Sequence, residues 1–418
     1  MELKPGYKHT EVGAIPSDWK VAPLGQLSSI ERGKFSARPR NDPRLYGGNT
    51  PFIQTGDVTR SNGAISAFTQ TLNSEGLKVS RVFPKGTLFF TIAANIGDVG
   101  ISQFEAACPD SLVAITPHAP TDKYWLLHEL SRRKVDFENL ASPGAQLNIN
   151  LEKLRPYFIP IPPANEQRSI AEALGDANAL IESLDQLITK KRQIKQGAMQ
   201  ELLTGKRRLP GFSGEWEAKR LGDVGNCLRG VTYNGDSDLW PHDTTHTKRL
   251  LRSNNVQNSA VVIDGIQFVN SARVKSEQLL KPHDVLICMA NGSKALVGKA
   301  GFFNVADGHE YTFGAFMGCF RTESTVSNPA FVFYLFQTAR YRDYINNLLA
   351  GSSINNLNPG SIESLEFRLP QMSEQTAIAT VLSDMDTELT ALETRLAKAR
   401  QIKQGMMQEL LTGRIRLL

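Results

Sequence analysis

The sequence predicts an α+β protein in which two globular domains alternate with two long α-helices that pair antiparallel as a coiled-coil spacer. Three observations carry this. Gln193–Gly205 reads QIKQGAMQELLTG and Gln401–Gly413 reads QIKQGMMQELLTG, so twelve of thirteen residues recur at an offset of 208. Internal repetition of this kind sets architecture before anything else does. Upstream of each copy, apolar residues recur at 4-3 spacing, which is a helical seam. The long segments between the copies are instead rich in Gly, Pro and short β-like runs, and they have drifted far apart.

In chain order, residues 1–163 form the first domain. Thr87-Leu-Phe-Phe-Thr-Ile92 and Leu112-Val-Ala-Ile115 read as strands, and Lys123 to Leu140 as helix. Strands mixed with a few helices indicate an α+β unit. Pro162-Pro163 then punctuates the chain, and Asn165 is a candidate helix cap. Residues 164–207 form the first long helix, with the seam Ile170, Leu174, Ala177, Ile181, Leu184 and Ile188. Residues 208–372 form the second domain. Residues 373–418 form the second helix, with Ile378, Leu382, Met385, Leu389, Leu392, Leu396 and Ala399. About 39 residues at 1.5 Å each give roughly 58 Å, too long for a small domain to cover, so the two seams are expected to cover each other.

Weak landmarks tie the two domains together. Trp19 to Gly25 matches Trp216 to Gly222, and Phe52-Ile-Gln-Thr-Gly-Asp57-Val58 matches Leu250-Leu-Arg-Ser-Asn-Asn255-Val256. Gly97 and Gly100 match Gly298 and Gly301, and Gly144 to Asn148 matches Gly351 to Asn355. Spacing is nearly kept while identity is poor. A shared fold with different surfaces is the expectation.

Composition is ordinary for a globular protein, with 41% hydrophobic and 21% charged residues. A net charge of +5 is compatible with nucleic acid but does not argue for it alone. No apolar run is long enough to cross a bilayer, and MELKPGYKHTEVG lacks the apolar core of a signal peptide. Cys108, Cys227, Cys288 and Cys319 are scattered, with no C-x-x-C pair, and read as reduced buried thiols of a cytoplasmic protein.

Several chemistries fail on inspection. The N-P-P-[FYW] or D-P-P-Y motif with which adenine-N6 methyltransferases hold a flipped base is missing; Pro162-Pro163 lies between Ile161 and Ala164. Gly292-Ser-Lys-Ala-Leu-Val-Gly298-Lys299-Ala300 imitates a phosphate loop but has five residues between its glycines and Ala where a hydroxyl must meet Mg²⁺. His242 and His246 have the spacing of a zinc pair but sit among Pro and Thr, which are poor helix formers. Pro109-Asp110 opens a nuclease-like phrase that no nearby Glu-x-Lys completes.

Gly6-Tyr-Lys-His-Thr-Glu-Val-Gly-Ala-Ile-Pro-Ser-Asp-Trp19, Pro162-Pro163-Ala-Asn-Glu166-Gln167 and Gln200-Glu-Leu-Leu-Thr-Gly-Lys-Arg-Arg-Leu-Pro-Gly-Phe212 with Trp216 together resemble the DNA-specificity subunits of type I restriction–modification systems. The resemblance covers the whole chain; Pro370-Gln371 departs from it by one proline. It implies two target-recognition domains, each reading half of a bipartite asymmetric site in double-stranded DNA. It implies helical spacers that fix the distance between halves and dock two modification subunits, with restriction subunits joining the complex. It implies no catalysis and no cofactor in this chain: S-adenosylmethionine, ATP and Mg²⁺ belong to the partners.

Base readout needs hydrogen-bonding side chains presented from loops or strand ends, and phosphate contacts need Lys and Arg. In the first domain the candidates are Arg32, Lys34, Arg38, Arg40, Gln54, Thr55 and Asn95. In the second they are Arg229, Lys248, Arg249, Arg252, Asn254, Asn291, Ser293 and Lys294. Gln54 and Arg252 fall at the same landmark with different hydrogen-bond codes. Lys190-Lys-Arg192 and Lys195 read as the wet face of the coiled coil. The near-identity of the repeat assigns Met199, Leu202, Leu203, Met407, Leu410 and Leu411 to partner docking. Two competing readings are a free-standing methyltransferase, which the missing motifs oppose, and a coiled-coil scaffold whose domains bind ligands other than DNA.

Overall fold

In the computed structural model, residues 5–141, 148–350 and 355–417 are described. The two long helices are the predicted ones, Ala164–Leu202 and Met372–Leu410, each 39 residues. Asn165 lies inside the first turn rather than capping it. The chain forms two compact units whose boundaries do not follow the sequence segments. One comprises residues 1–185 and 394–418, the other 186–393, so each unit owns half of each long helix.

In the first unit, two sheets build the globular part. One has the order β1 (Ser28–Arg32), β5 (Leu112–Pro117), β3 (Leu88–Thr91), followed by Val99–Ser102 and Ala64–Ile65; the other contains β2 (Tyr46–Phe52) and β4 (Ala106–Ala107). The strand Leu88–Thr91 is buried on both faces, which is why its sequence is continuously apolar. Lys123–Arg132 and Lys134–Leu140 pack on it as two helices, with Asp122 capping the first through the backbone N–H groups of Tyr124 and Trp125.

The second unit repeats this plan. Its larger sheet begins β6 (Gly225–Arg229), β10 (Met317–Thr322), β8 (Val285–Cys288), and its smaller sheet contains β7 (Thr247–Leu251) and β9 (Tyr311–Phe313). Gly97 and Gly298 both adopt positive φ, +87° and +81°, so that landmark is a shared turn needing glycine. The Gly144 and Gly351 landmarks lie outside the described residues. Their flanks pair as Ala93 with Asn148 and Ala290 with Asn356, so the correct equivalent of Asn148 is Asn356 rather than Asn355.

The helical seams are buried in part: Ala177, Ile181, Met385 and Leu392 are half-buried, and the start of each seam packs into a domain. Ile170 and Leu174 fill the core of the first unit, and Ile378 and Leu382 that of the second. Within the second unit the helix segments run antiparallel, because Lys191 pairs with Glu388, Arg192 with Glu393 and Lys195 with Asp386. Within the first, Arg400 reaches Asp185 at 2.8 Å while Ile170 shares a core with Leu410. Lys191, Arg192 and Lys195 are thus ion-paired across to the other helix segment, with the Lys195 side chain only 13% exposed.

Leu202 and Leu203 are 6% and 3% exposed in the core of the second unit, with Met199 against them. Leu410 and Leu411 are 5% and 1% exposed in the core of the first, with Met407 alongside. These leucines, expected to dock a partner, are instead taken up by the domains of their own chain. The repeat tails explain the match. Arg416 holds the fully buried carboxylate of Glu166 at 2.6 and 2.8 Å and Asp18 at 3.0 and 2.7 Å, while Trp19 Nε1 donates to Glu166 at 3.0 Å. In the second unit Arg208 holds Glu374, with Nη2 at 2.6 Å, and lies over the Trp216 ring. Gly205 and Gly413 both have φ of +70°, which a side chain would strain; an added Cβ would sit in ordinary contact with Trp216 at 3.4 Å in the first case and clash with Pro16 at 2.4 Å, beside Trp19, in the second. The neighbouring glutamines act alike: Gln167 accepts from the Asp122 N–H and donates to Pro162 O, and Gln375 accepts from Asn328 and donates to Pro370 O. Each repeat copy thus closes one domain.

Candidate nucleic-acid interface

At one edge of the first unit, four chain segments converge. The ends of β1, β2 and β3 meet the loop between β4 and β5. Gly33 N–H donates to Leu112 O, Lys34 N–H to Cys108 O, Ile53 N–H to Ala107 O and Ile92 N–H to Ser111 O. Gly33 is obligatory here, because a Cβ would lie 2.2 Å from Pro109 O. The second unit has the same edge. Gly230 N–H donates to Met317 O, Val231 N–H to Phe313 O, Gly314 N–H to Leu251 O and Met289 N–H to Phe316 O. A Cβ on Gly230 would lie 2.0 Å from Gly314 O. The Arg-Gly phrases at Arg32 and Arg229 are therefore equivalent for a backbone reason, and each places an arginine at the rim.

Gln54 and Arg252 occupy equivalent positions on these edges. Each begins a short helical turn, and its N–H is capped by the side chain three residues on, Asp57 Oδ2 at 2.9 Å and Asn255 Oδ1 at 2.9 Å. Gln54 Nε2 donates to Gln70 Oε1 at 3.0 Å, so two amides form one hydrogen-bonding unit. They line a cavity with Phe35, Tyr46, Phe52, Arg40 and Asn41. Thr55 opens the helical turn beside them. Arg252 reaches Gly265 O at 3.3 Å through Nη2, and its Nε is buried without a partner.

The remaining candidates divide. Arg32 Nε donates to Asp110 O at 2.7 Å, and Arg40 grips the Asp110 carboxylate at 2.7 and 2.9 Å, so Asp110 is the hub of the first edge. Lys34 and Arg38 are exposed beside it, Arg38 bonding the carbonyls of Phe35 and Ala37. Asn95 donates to Thr59 Oγ1 at 3.0 Å. In the second unit Asn291 accepts from the Ser293 N–H, Asn254 is exposed, and Lys294 reaches Leu349 O at 3.4 Å. Lys248 and Arg249 do not belong to the edge. They lie near the other end of β7, roughly 10–13 Å of strand from Arg252. Lys248 is paired with Glu310, and Arg249 with Asp243 at 2.9 Å and Asp307 at 3.1 Å. Of their acidic partners, Glu310 and Asp307 come from a segment about sixty residues on, and Asp243 from six residues upstream.

Sequence reasoning missed three groups. Gln70 and Asp110 join the first edge through long-range pairing that spacing does not reveal. Phe316 joins the second, and its position between Gly314 and Met317 gives no polar signal. The Glu–Arg clasps beside Trp19 and Trp216 were within reach, since Glu166 matches Glu374 and Arg208 matches Arg416 at the repeat's own offset of 208. His242 and His246 lie in a loop rather than on a helix, and among the described residues no group of three His, Cys, Asp or Glu is placed to hold a metal ion. The four cysteines are buried and free, with burial pushing the Cys227 thiol up to about 12. No helix among the described residues is long and apolar enough to cross a membrane.

A family profile described as "Type I restriction modification DNA specificity domain" matches residues 16–195 and again 213–404. The StySPI specificity subunit of Salmonella potsdam is 30% identical over 200 residues, which span 48% of this chain and 42% of that one. The chain thus aligns with less than half the length of that relative. The putative MjaX specificity subunit of Methanocaldococcus jannaschii is 24% identical over 441 residues, covering 98% of this chain and 97% of that one. The solved S subunit from M. genitalium superposes with a TM-score of 0.63 at 14% identity, over 98% of this chain and 99% of that one, and shows the fold is shared.

Proposed function

The chain belongs to the family of type I restriction–modification DNA specificity domains, and on that footing we propose that it is a non-catalytic subunit that reads a bipartite, asymmetric site in double-stranded DNA. The observation that carries this is the pair of equivalent edges bearing different side chains. Gln54 and Arg252 hold the same backbone position, yet an amide suits adenine and a guanidinium suits guanine. Phosphate contacts come from Arg32, Lys34, Arg38, Arg229 and Lys294, which supply charge around each edge. Lys248 and Arg249 are left out, being ion-paired elsewhere.

The long helices act in this proposal as an antiparallel coiled-coil spacer holding the two half-sites at one separation. Methylome sequencing of the host with and without the gene identifies the site. Inserting four residues after Leu184, one turn of helix, then lengthens the spacer of the methylated motif. An unchanged spacing refutes the spacer role.

Docking of two modification subunits moves to the exposed face of the repeat. Ile194 is 48% exposed and Ile402 53% exposed, at identical places in the two copies. Gly197 and Gly405 lie one turn further on, where an added Cβ would meet nothing within 4 Å. Glycine inside a helix costs roughly 1 kcal/mol against alanine, and nothing within the chain requires it at these two positions. A partner helix approaching closely at each copy accounts for the exposed Ile and the Gly together. S-adenosylmethionine, ATP and Mg²⁺ are then carried by the partners, and the assembled complex acts on DNA.

A further inference from the structure

Phe316 is the most exposed large hydrophobic side chain among the described residues, at 72%. It does not lie on a frayed loop. Its carbonyl accepts from the N–H groups of Met289 and Ala290 at 2.9 and 3.1 Å, and Met317 N–H closes back on Gly314 O at 2.8 Å. The backbone that presents the ring is fixed on both sides. Around it stand the other groups of the second edge: Arg229 before Gly230, Arg252 after the Leu251 that holds Gly314, and Asn291 after Ala290.

The first edge differs at the same place. There the loop between β4 and β5 carries Asp110, which anchors Arg32 and Arg40. By the same backbone pairings Phe316 stands where the first edge has Ser111, and Ala315 where it has Asp110, so the second edge lacks the charged hub and sets an apolar ring amid cationic and amide side chains. Exposing a phenyl ring to water is unfavourable, and among the described residues no core or neighbouring ring takes this one. The surrounding Arg and Asn groups indicate that its occupant is nucleic acid. In a groove that presents hydrogen-bonding edges, the apolar group available to such a ring is the thymine 5-methyl.

We propose that Phe316 is a base-reading residue of the second domain that recognises the 5-methyl group of one thymine in the target site. The inference rests on the DNA-reading proposal above. It adds an apolar contact to an edge whose other readers form hydrogen bonds.

The test uses the chain purified with its modification subunits and a duplex carrying the methylated motif. In a series of otherwise identical duplexes, each thymine of the motif is replaced in turn by deoxyuridine, which removes only the methyl group. One position should weaken binding about fourfold, the value of one buried methyl-sized group. That loss should vanish in Phe316→Ala and persist in Gln54→Ala. Phe316→Leu, which keeps an apolar contact, should retain part of it and serves as the reporter if the alanine variant folds poorly. If no thymine position is coupled to Phe316 while the complex still prefers the motif over a shuffled duplex, the proposal for Phe316 fails and the DNA-reading proposal stands. If the complex shows no preference for the motif, both fail. If Phe316→Ala releases a modification subunit and leaves base discrimination intact, the ring is a protein contact and the proposal is overturned.

Discussion

Replacing Arg416 with alanine should unfasten the first unit and leave the second intact. Glu166 has no exposure to solvent, and Arg416 supplies two of its hydrogen bonds, at 2.6 and 2.8 Å. Without Arg416 the carboxylate keeps, among the described residues, only the Trp19 indole N–H at 3.0 Å. Removing one partner of a buried ion pair costs about 3–5 kcal/mol, because the other charge stays desolvated and uncompensated. The exposed Asp18 contact adds little to this. In a unit of roughly 200 residues each kcal/mol moves Tm by about 2–4 °C, so the expected drop is on the order of 10 °C. Calorimetry gives the size, and hydrogen exchange gives the place. Protection should fall in 5–27, 155–185 and 394–417 and stay unchanged in 216–223 and 359–382. Arg208→Ala should reverse the pattern. Arg416→Met combined with Glu166→Gln should recover part of the loss, because neither partner then carries a buried charge. A Tm change under about 1 °C for Arg416→Ala, or equal deprotection in both units, would refute the clasp.

Other consequences follow from the same contacts. His128 is 4% exposed, and burial, then the nearby Lys403 charge, lowers its pKa to about 4. The folded state therefore binds fewer protons than the unfolded state between about pH 6.5 and 4, so stability should fall as pH drops through that window, by on the order of 3 kcal/mol in total; His128→Gln should flatten the pH dependence of Tm for the first unit. Ile194→Glu and Ile402→Glu should each remove one modification subunit in native mass spectrometry while leaving Tm unchanged, whereas Leu202→Glu or Leu410→Glu should unfold a domain; two retained subunits in both isoleucine variants would place docking elsewhere. Gln54→Ala or Arg252→Ala should cost about 1–3 kcal/mol at one base position of one half-site, and a uniform loss across all duplexes would mark a phosphate contact instead.

The helices were legible because a 4-3 apolar pattern over many turns has no competing explanation. The strand Leu88–Thr91 and residues 112–115 of the strand Leu112–Pro117 were legible because continuous burial leaves a continuous apolar run. The edge was partly legible. Gln54 and Arg252 could be matched because capping fixes Asp57 and Asn255 three residues on. The place of Lys248 and Arg249 away from the edge was not legible, because much of what pairs with them is distant in sequence: Glu310 and Asp307 come from the segment before β9, while Asp243 lies six residues upstream. Gln70, Asp110 and Phe316 join their edges through strand pairing between distant segments, which a single sequence does not encode in any local spacing.

The repeat carries two separate constraints, and the structure separates them residue by residue. Leu202, Leu203, Gly205 and Arg208, with their counterparts Leu410, Leu411, Gly413 and Arg416, meet the same geometry twice: a leucine pair in a core, a glycine under a tryptophan, an arginine on a buried glutamate. Two domains of one fold impose that match without any partner. Core packing does not reach Gln193, Ile194, Gln196 and Gln200, which are exposed in both copies together with Gln401, Ile402, Gln404 and Gln408. Free surface positions would have drifted as the domains themselves did. Lys195 and Lys403 sharpen the point. Lys195 pairs with Asp386 and lies over the Tyr334 ring, whereas at the equivalent place in the first unit burial lowers the pKa of Lys403, whose charge acts on His128. The same lysine thus meets two different intramolecular environments. Its identity in both copies, like that of the isoleucine beside it, is best accounted for by what approaches from outside. Lys403→Met should therefore leave Tm of the isolated chain unchanged or raised while weakening subunit docking. Loss of stability without loss of docking would return the lysine to the fold.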